Sequence, residues 1–570
     1  MKCVIIGEVS MNLNKSEYIL GFQSGHDTAY CLLKDGVPII HEEYERHIRQ
    51  KEPHGDGMLM ASEFLSEDQV QNIKHATIGN AIKWNRYAYK NPSSTDSGTE
   101  LITGLKKEWD FFNKPAFDKI NSVIESKGGS IHKIGHHQSH AANAFFSSKF
   151  NKSLIATIDG GGTELGGIRT CFTFWEGIDN KIEKIEFIDK TKCNIGVTWD
   201  NIIETVFNLS SGYPYGNQAG TVMAMASIGD PDKYLADIQS SRFGAGGSRS
   251  INLMLANLKS IIKVNEEEKF HIAASLQKAT ELEVRGRIEQ YIQDHEYLCL
   301  SGGVVLNSVM VGKMYDWWPH LKGIYVCPVP YDSGLAIGSA QYLWHHILGN
   351  PRVEWDGNCS PYLGRTYKTP ITLLEYYALN ANTIDYKVSS DQEVVDLLAD
   401  SKIVCVFGGG SESGRRALGN RSILADPRSP LMKDLINDKV KHRQSYRPFA
   451  PAILREEVSN WFEKDIDSPY MTAVIKFLDH RICEVPAVVH LDGTGRLQTV
   501  TEKDNLWFYN LIKLFKKKTN VPIILNTSFN DREPIVETPQ DALGCFLRTD
   551  IDFLYFRDGN ILVSKKNEDE

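Results

Sequence analysis

The chain has 570 residues, 42% of them hydrophobic and 24% charged, with a formal net charge of −9. That length exceeds what one core usually holds, so at least two domains are expected. The acidic balance argues against a nonspecific grip on nucleic acid or an anionic membrane, which needs a basic excess, but it leaves room for a local basic pocket. No apolar run approaches the ~18 residues of a membrane span, and Met1–Glu8 is too short an apolar start for a signal peptide. Ten cysteines, among them Cys3, Cys171, Cys193 and Cys359, are scattered with no C-x-x-C spacing. No zinc ribbon is indicated, and free thiols fit a cytoplasmic location.

Residues 18–33 read as strand, tight polar loop and strand; Lys34-Asp35-Gly36 is a hairpin turn signal, and Val37 starts the next strand. An actin-like ATPase domain begins this way, as do many hairpins. Residues 55–130 carry mixed helical periodicity around the polar loop Asn91–Gly98. In Gly-His-His-Gln-Ser-His-Ala at 135–141, His136 and His140 stand four apart, which puts both imidazoles on one face of a helix. An apolar run then ends in Asp159-Gly160-Gly161-Gly162, with strands expected at 154–158 and 171–175 on either side of a glycine turn. Two neutral imidazoles and a carboxylate suit a divalent metal with open positions, and the glycines let backbone approach a phosphate. Equally, one or two of these histidines cap or pack.

Residues 265–295 have helical spacing, and Leu298–Asn307 reads as strand, glycine turn and helix start. Gly302 and Gly303 there favour an anion or simply make a tight turn. Residues 324–328 read as a buried strand, and Asp332 follows it as an N-cap or as a fourth ligand beside His136, His140 and Asp159. Glycine and proline cluster at 348–368, a plausible boundary between domains at 1–355 and 365–570. The second domain opens with helices and a strand at 403–407, closes with strands at 521–525 and 553–556, and ends in a charged, frayed tail from Ser564.

After the 403–407 strand comes Gly408-Gly-Gly-Ser-Glu-Ser-Gly-Arg415-Arg416-Ala-Leu-Gly-Asn-Arg421. Lys439, Lys441, Arg443 and Arg447 follow, then Arg496, then Asn526-Thr-Ser528-Phe-Asn530. An acidic chain that concentrates arginine beside glycine turns has a reason to hold phosphate or carboxylate; the alternative is a solvated basic face.

Together these segments resemble the O-carbamoyltransferases of the NodU/CmcH type over almost the whole chain. The resemblance rests on Gly25-His26-Asp27, Glu42-Glu43…Arg46, His-His-x-x-His-Ala, Asp159-Gly-Gly, Ser-Gly-Gly-Val-x-Leu-Asn and Asp332-Ser-Gly. It continues through Gly-Arg-Arg-Ala-Leu-Gly-Asn-Arg, Lys441-x-Arg443…Tyr-Arg447-Pro-Phe-Ala-Pro and Asn-Thr-Ser-Phe-Asn. It implies an α/β protein with an N-terminal actin-like (ASKHA) domain and a C-terminal YrdC-like domain. The second joins carbamoyl phosphate to ATP, with Mg2+ accompanying the ATP, and gives carbamoyl adenylate and pyrophosphate. The first passes the carbamoyl group to an acceptor hydroxyl and releases AMP.

By the same resemblance Arg416, Lys441, Arg447, Arg496 and Ser528 hold carbamoyl phosphate and ATP. Gly160, Gly161, Gly302, Gly303 and Asn307 cradle the nucleotide. His136, His140, Asp159 and Asp332 bind a divalent metal of the Fe2+ type. His26 stands on the acceptor side, where an imidazole can take a proton from an alcohol, and Lys51 holds the acceptor or the transferred group. The acceptor is a small molecule, a sugar, a nucleoside or a hydroxymethylated base. One departure is Ala219-Gly220-Thr221, where relatives read Glu-Gly-Lys. A threonylcarbamoyl-type tRNA-modifying transferase and a non-catalytic nucleotide-binding protein on the same scaffold are the other readings.

Overall fold

The computed structural model describes residues 16–79, 100–102, 113–241, 243, 247–353 and 360–566. The expectations for Met1–Glu8, for the loop 91–98, for Cys3 and Cys359, for the middle of the 348–368 cluster and for the last four residues lie outside them.

The first sheet opens on β1 (Tyr18–Gln23), β2 (Ala29–Lys34) and β3 (Val37–Glu43), an antiparallel meander. β4 (Ile73–Ile78) adds parallel to β1, and β5 (Glu100–Ile102) and β6 (Ile131–Lys133) complete the order β3-β2-β1-β4-β6-β5. β2 is buried at every position from Ala29 to Leu33, because both of its faces are covered. Hence it reads as a continuous apolar run rather than an alternation.

The second sheet repeats the scheme. β7 (Lys152–Thr163), β8 (Arg169–Ile178) and β9 (Lys181–Asp189) form a meander. After a short hairpin of β10 (Ser211–Gly212) and β11 (Gly216–Asn217), β12 (Tyr297–Ser301) and β13 (Gly323–Val326) extend it in parallel. The order is β13-β12-β7-β8-β9. Two meanders, each extended by parallel strands beside its first strand, are the duplicated topology of the actin-like fold. The helices His136–Phe146 and Leu335–Gln341 are packed between the two sheets, and every residue of both is buried.

The C-terminal part is one mixed nine-stranded sheet with flanking helices, an α/β arrangement. Its strands are β14 (Ile384–Val388), β15 (Val404–Phe407), β16 (Arg421–Ala425), β17 (Ala450–Leu454), β18 (Ala473–Lys476), β19 (Thr494–Val500), β20 (Ile523–Ser528), β21 (Phe553–Phe556) and β22 (Ile561–Lys565). They lie in the order β14-β22-β21-β15-β16-β20-β17-β19-β18. The helix Leu506–Thr519 shows how the sequence builds this layer. It buries Phe508, Leu511, Ile512 and Phe515, one face at helical spacing. Asn505 caps its first turn, Asn520 ends it in a left-handed conformation, and Lys516, Lys517 and Lys518 oppose the negative end of its dipole.

Three expectations are corrected here. Gly160–Gly162 is not a turn: β7 runs on through a bulge between Ile158 and Gly162, and the chain reverses at Glu164–Ile168. β14 is a strand that sequence reading missed, although Ile384, Tyr386 and Val388 alternate with Asp385 and Lys387 over its five residues. Ser564 and Lys565 belong to β22 rather than to a frayed tail, paired against β14 and β21.

The largest apolar cluster runs without interruption from Leu154 to Val563, so the two parts share a core. Their closest approach is at the helix Ser308–Trp317, which crosses β18. A Cβ on Gly312 would sit 1.9 Å from the carbonyl oxygen of Val474. Only a residue without a side chain allows that contact. Among the described residues no helix is long and apolar enough to cross a membrane. Gly312→Val should therefore lower unfolding free energy by at least about 1–3 kcal/mol through forced separation of the helix and β18. Chemical denaturation checks this, and an unchanged midpoint and slope would contradict it.

Candidate active site

The helix His136–Phe146 begins at a backbone turn fixed by Glu164. Its carboxylate accepts a hydrogen bond from the His137 backbone N–H at 2.5 Å, while the Gln138 side chain accepts one from Gly135 N–H at 3.1 Å. This start places His136 and His140 against the end of β7, their ring centroids 4.8 Å apart. The His136 ring fits because residue 162 is glycine: a Cβ there would lie 2.1 Å from the imidazole. Asp159 points out of the same bulge, its Oδ2 at 3.1 Å from His136 Nε2 and its Oδ1 accepting from the Gly303 N–H at 2.9 Å. Asp332 opens a short 3-10 turn and brings its Oδ1 to 3.6 Å from His136 Nε2 and 3.4 Å from His140 Nε2. One ligand atom from each of the four residues lies within 4.8 Å of the other three.

The donor set fits a divalent ion on two grounds. His140 Nε2 is buried and has no hydrogen-bond partner. Its other nitrogen, Nδ1, is 3.1 Å from Ser301 Oγ, and Ser301 itself donates to the Pro330 carbonyl at 3.1 Å. Ser301 therefore accepts the Nδ1 proton, which leaves Nε2 bare and facing the carboxylates. Such an outer partner fixes the tautomer of a metal-binding imidazole. Burial alone would raise the carboxyl groups of Asp159 and Asp332. The hydrogen bond from His136 and the neighbouring imidazoles hold Asp159 well below its usual range, and the charges of His136 and His26 do the same for Asp332.

Asp159 and Asp332 line a cavity of about 1030 Å3, with His136 and His140 fully buried behind them. Its other wall comes from the C-terminal part and carries Arg416, Arg443, Arg447, Arg496 and Ser528. The loop between β15 and β16 is wound around the buried carboxylate of Glu412, which accepts from the backbone N–H groups of Leu418, Asn420 and Arg421 at 2.7, 2.9 and 3.2 Å. That winding projects Arg416 inward. None of the four arginines forms an ion pair with a carboxylate among the described residues. Arg443 is held by Asn437 Oδ1 at 2.7 Å, and Arg496 reaches Ser308 Oγ at 3.1 Å across the junction of the two parts. Burial pushes all four guanidinium groups down, Arg416 to about 10, and mutual repulsion adds to it for Arg416, Arg443 and Arg496. Desolvated cations gathered on one wall of a cavity are matched to an anion.

The structure distributes the expected site residues unevenly. Gly160, Gly161, Gly303 and Asn307 line the cavity, and Gly302 sits just behind them against the backbone of Ile158. Asn307 forms a reciprocal amide pair with Gln277 at 2.8 and 3.1 Å, on the long helix Glu268–Ile292. His26 is at the tip of the β1–β2 hairpin, its Nε2 at 3.2 Å from Asp332 Oδ2. Lys51 lies along Gly216 of the small hairpin and is pushed down by burial. Lys441 sits behind the wall: its ammonium donates to the carbonyl groups of Ser528 and Asn530 at 2.5 and 2.8 Å and so shapes the loop that carries Ser528. Ala219 and Thr221 line the cavity in the helix Ala219–Ala226, with Thr221 donating to Gln218 at 2.9 Å. Sequence reading missed Ser301, Gly162 and Glu412 as supports. A serine ending a strand one residue ahead of Gly302 was the available signal for the first.

Ser301→Ala should weaken divalent-metal binding by about 10- to 100-fold through loss of the outer partner of His140. His140→Ala should weaken it further. Calorimetric titration of the protein with Mn2+ or anaerobic Fe2+ checks both, and parental affinity in either variant would contradict the assignment.

A family model described as the carbamoyltransferase N-terminus matches residues 18–341, and one described as the carbamoyltransferase C-terminus matches residues 395–565. An uncharacterized protein of Synechocystis sp. is 32% identical over 96% of this chain and 97% of its own. The nodulation protein NolO of Bradyrhizobium diazoefficiens is 34% identical over 76% of this chain and 79% of its own. The 3'-hydroxymethylcephem-O-carbamoyltransferase of Amycolatopsis lactamdurans is 29% identical over 58% of this chain and 62% of its own. With both family models matched in order over most of its length, the chain belongs to the carbamoyltransferase family and is a carbamoyl-transferring enzyme.

Proposed function

We propose that this enzyme is an ATP-dependent O-carbamoyltransferase that works through carbamoyl adenylate. The observation that supports it most is a single cavity lined by Asp159 and Asp332, which His136 and His140 back, and by four arginines that have no carboxylate partner among the described residues. A carbamoyl group carried as a phosphate, and ATP, bring the anionic charge that the arginine wall lacks.

Bond balance sets the steps. Water cleaves the oxygen–phosphorus bond of carbamoyl phosphate and leaves carbamate and phosphate. A carbamate oxygen then bonds to the α-phosphorus of ATP as the bond to pyrophosphate breaks. Arg416, Arg447 and Arg496 hold the anions together and neutralise charge as it moves, and Ser528 donates a hydrogen bond from the adjoining loop. The nucleotide lies against Gly160, Gly161 and Gly303, with Asn307 beside it. An acceptor hydroxyl then attacks the carbamoyl carbon, its proton passes to His26, and AMP leaves. A divalent ion held by His136, His140, Asp159 and Asp332 supplies Lewis-acid stabilisation of the adenylate phosphate. Lys51, which packs along Gly216 of the small hairpin, orients the acceptor from behind the cavity wall. A hydroxyl-bearing small molecule, sugar or nucleoside satisfies this chemistry.

The testing experiment is ATP–pyrophosphate exchange in the presence and absence of carbamoyl phosphate. Exchange that requires carbamoyl phosphate is expected, and none would overturn the adenylate route. Arg416→Ala or Arg447→Ala should abolish the exchange while transfer from supplied carbamoyl adenylate persists; equal loss of both half-reactions would contradict this division. His26→Ala should slow transfer by about 100- to 10,000-fold, the usual worth of a positioned base, and leave exchange intact. Transfer within a few-fold of the parent would make His26 a scaffold residue.

A further inference from the structure

Arg415 and Arg416 are adjacent in the chain, yet they meet opposite surroundings. Both line the cavity, and Arg416 has no carboxylate partner among the described residues. Arg415 crosses to the N-terminal part, where its Nη1 lies 2.7 Å from Glu52 Oε1 and its Nη2 lies 3.1 Å from Asp27 Oδ1. Its guanidinium also stacks 4.4 Å over the ring of Tyr331, whose hydroxyl donates to Glu43 at 2.9 Å. The other oxygen of Asp27, Oδ2, is 3.3 Å from His26 Nδ1. A continuous line therefore runs from the anion-binding loop to the imidazole: Arg415, Asp27, His26 and then Asp332.

Both carboxylate partners of Arg415 sit in left-handed backbone, with φ of +53° at Asp27 and +53° at Glu52. An L residue holds that conformation only where its surroundings fix it. The two segments are tied to each other by a pair of backbone hydrogen bonds between Gly25 and Gly55, at 2.9 and 3.1 Å. Glu52 also accepts from the Asn217 N–H at 3.0 Å in the small hairpin that rims the cavity. One guanidinium fork thus spans the three pieces that form the acceptor side. Lysine, a point donor, would not reach both carboxylates in this way.

We propose that Arg415 is a positioning residue for carbamoyl transfer: through Asp27 and Glu52 it holds the His26 loop in register with the His136–His140–Asp159–Asp332 cluster. The inference rests on the reading of His26 as the acceptor base. It also gives the arginine pair a purpose, since the same loop that meets the anion through Arg416 sets the acceptor side through Arg415.

Arg415→Gln, Arg415→Lys and the double variant His26→Ala with Arg415→Gln, all in the full chain, test it. Arg415→Gln should slow transfer from supplied carbamoyl adenylate by about 10- to 100-fold, the scale of an ångström-sized misplacement. Arg415→Lys should fall between it and the parent. Because Arg415 acts through His26, the double variant should be no slower than His26→Ala alone; a general folding defect would instead multiply the two losses. Multiplied losses would overturn the proposal. A crystal structure of Arg415→Gln decides it independently of activity. Displacement of residues 24–28 and of Glu52, with Arg416 and Arg447 in place, is expected; an unmoved His26 loop would overturn it. If the parent transfers no carbamoyl group at all, the functional reading fails while this structural comparison still decides the role of Arg415.

Discussion

Burying guanidinium groups beside one another costs free energy, because each loses water and gains a like charge. Arg416, Arg443, Arg447 and Arg496 are held in that condition, and the fold has to supply the restraint. It does so with the neutral groups Asn437 on Arg443 and Ser308 on Arg496, and with a loop wound on the buried carboxylate of Glu412 beneath Arg416. Asp159 and Asp332 enter the same cavity from the N-terminal part, and no carboxylate among the described residues pairs with the four arginines. The proposed function rests on these arginines being left for an anionic ligand.

Arg415 shows how closely that arrangement is managed. One position from Arg416, it is surrounded by carboxylates of the N-terminal part. Burial would lower its guanidinium, but Glu52 and Asp27 raise it well above its ordinary range. Other contacts seal the same junction: Arg46 donates to the Gly414 carbonyl at 2.7 Å, Gly414 N–H donates to Glu43 at 2.7 Å, and Arg365 meets Glu42 at 2.6 Å. Several of these groups lie in the β3 end and the turn after it, so the N-terminal sheet edge reads the C-terminal loop directly. The cavity exists only where the two parts meet, and its chemistry requires both.

Much of this was readable from the residues because the chemistry-bearing groups sit on short local patterns. His136 and His140 at helical spacing, Asp159 at the end of an apolar run and Asp332 after another strand each declared a position; the fold brings their ligand atoms within 4.8 Å. The arginines of 415–447 and Arg496 were visible as a cluster. Their division was not, because Arg415 and Arg416 differ only in which part they face. Ser301 and Glu412 were hidden for a related reason: each acts through contacts that local sequence does not encode. Serine at a strand end and glutamate in a glycine loop read as ordinary turn residues until the Pro330 carbonyl and the loop N–H groups close around them. Lys441 reads in sequence as a ligand group because it is a basic residue in the arginine cluster; in the fold its ammonium donates to the carbonyls of Ser528 and Asn530. The glycines after Asp159 suggested a turn since nothing in their sequence reveals that β8 pairs through the bulge.

The central claim is that one cavity presents a divalent ion and a phosphate-bearing ligand to each other. A crystal structure of the enzyme with Mn2+ and carbamoyl phosphate, phased on the anomalous signal of the metal, measures this directly. The account predicts an anomalous peak enclosed by His136, His140, Asp159 and Asp332, with phosphate density against Arg416, Arg447 and Arg496 in the same cavity. A metal bound elsewhere, or phosphate density away from those arginines, would contradict it.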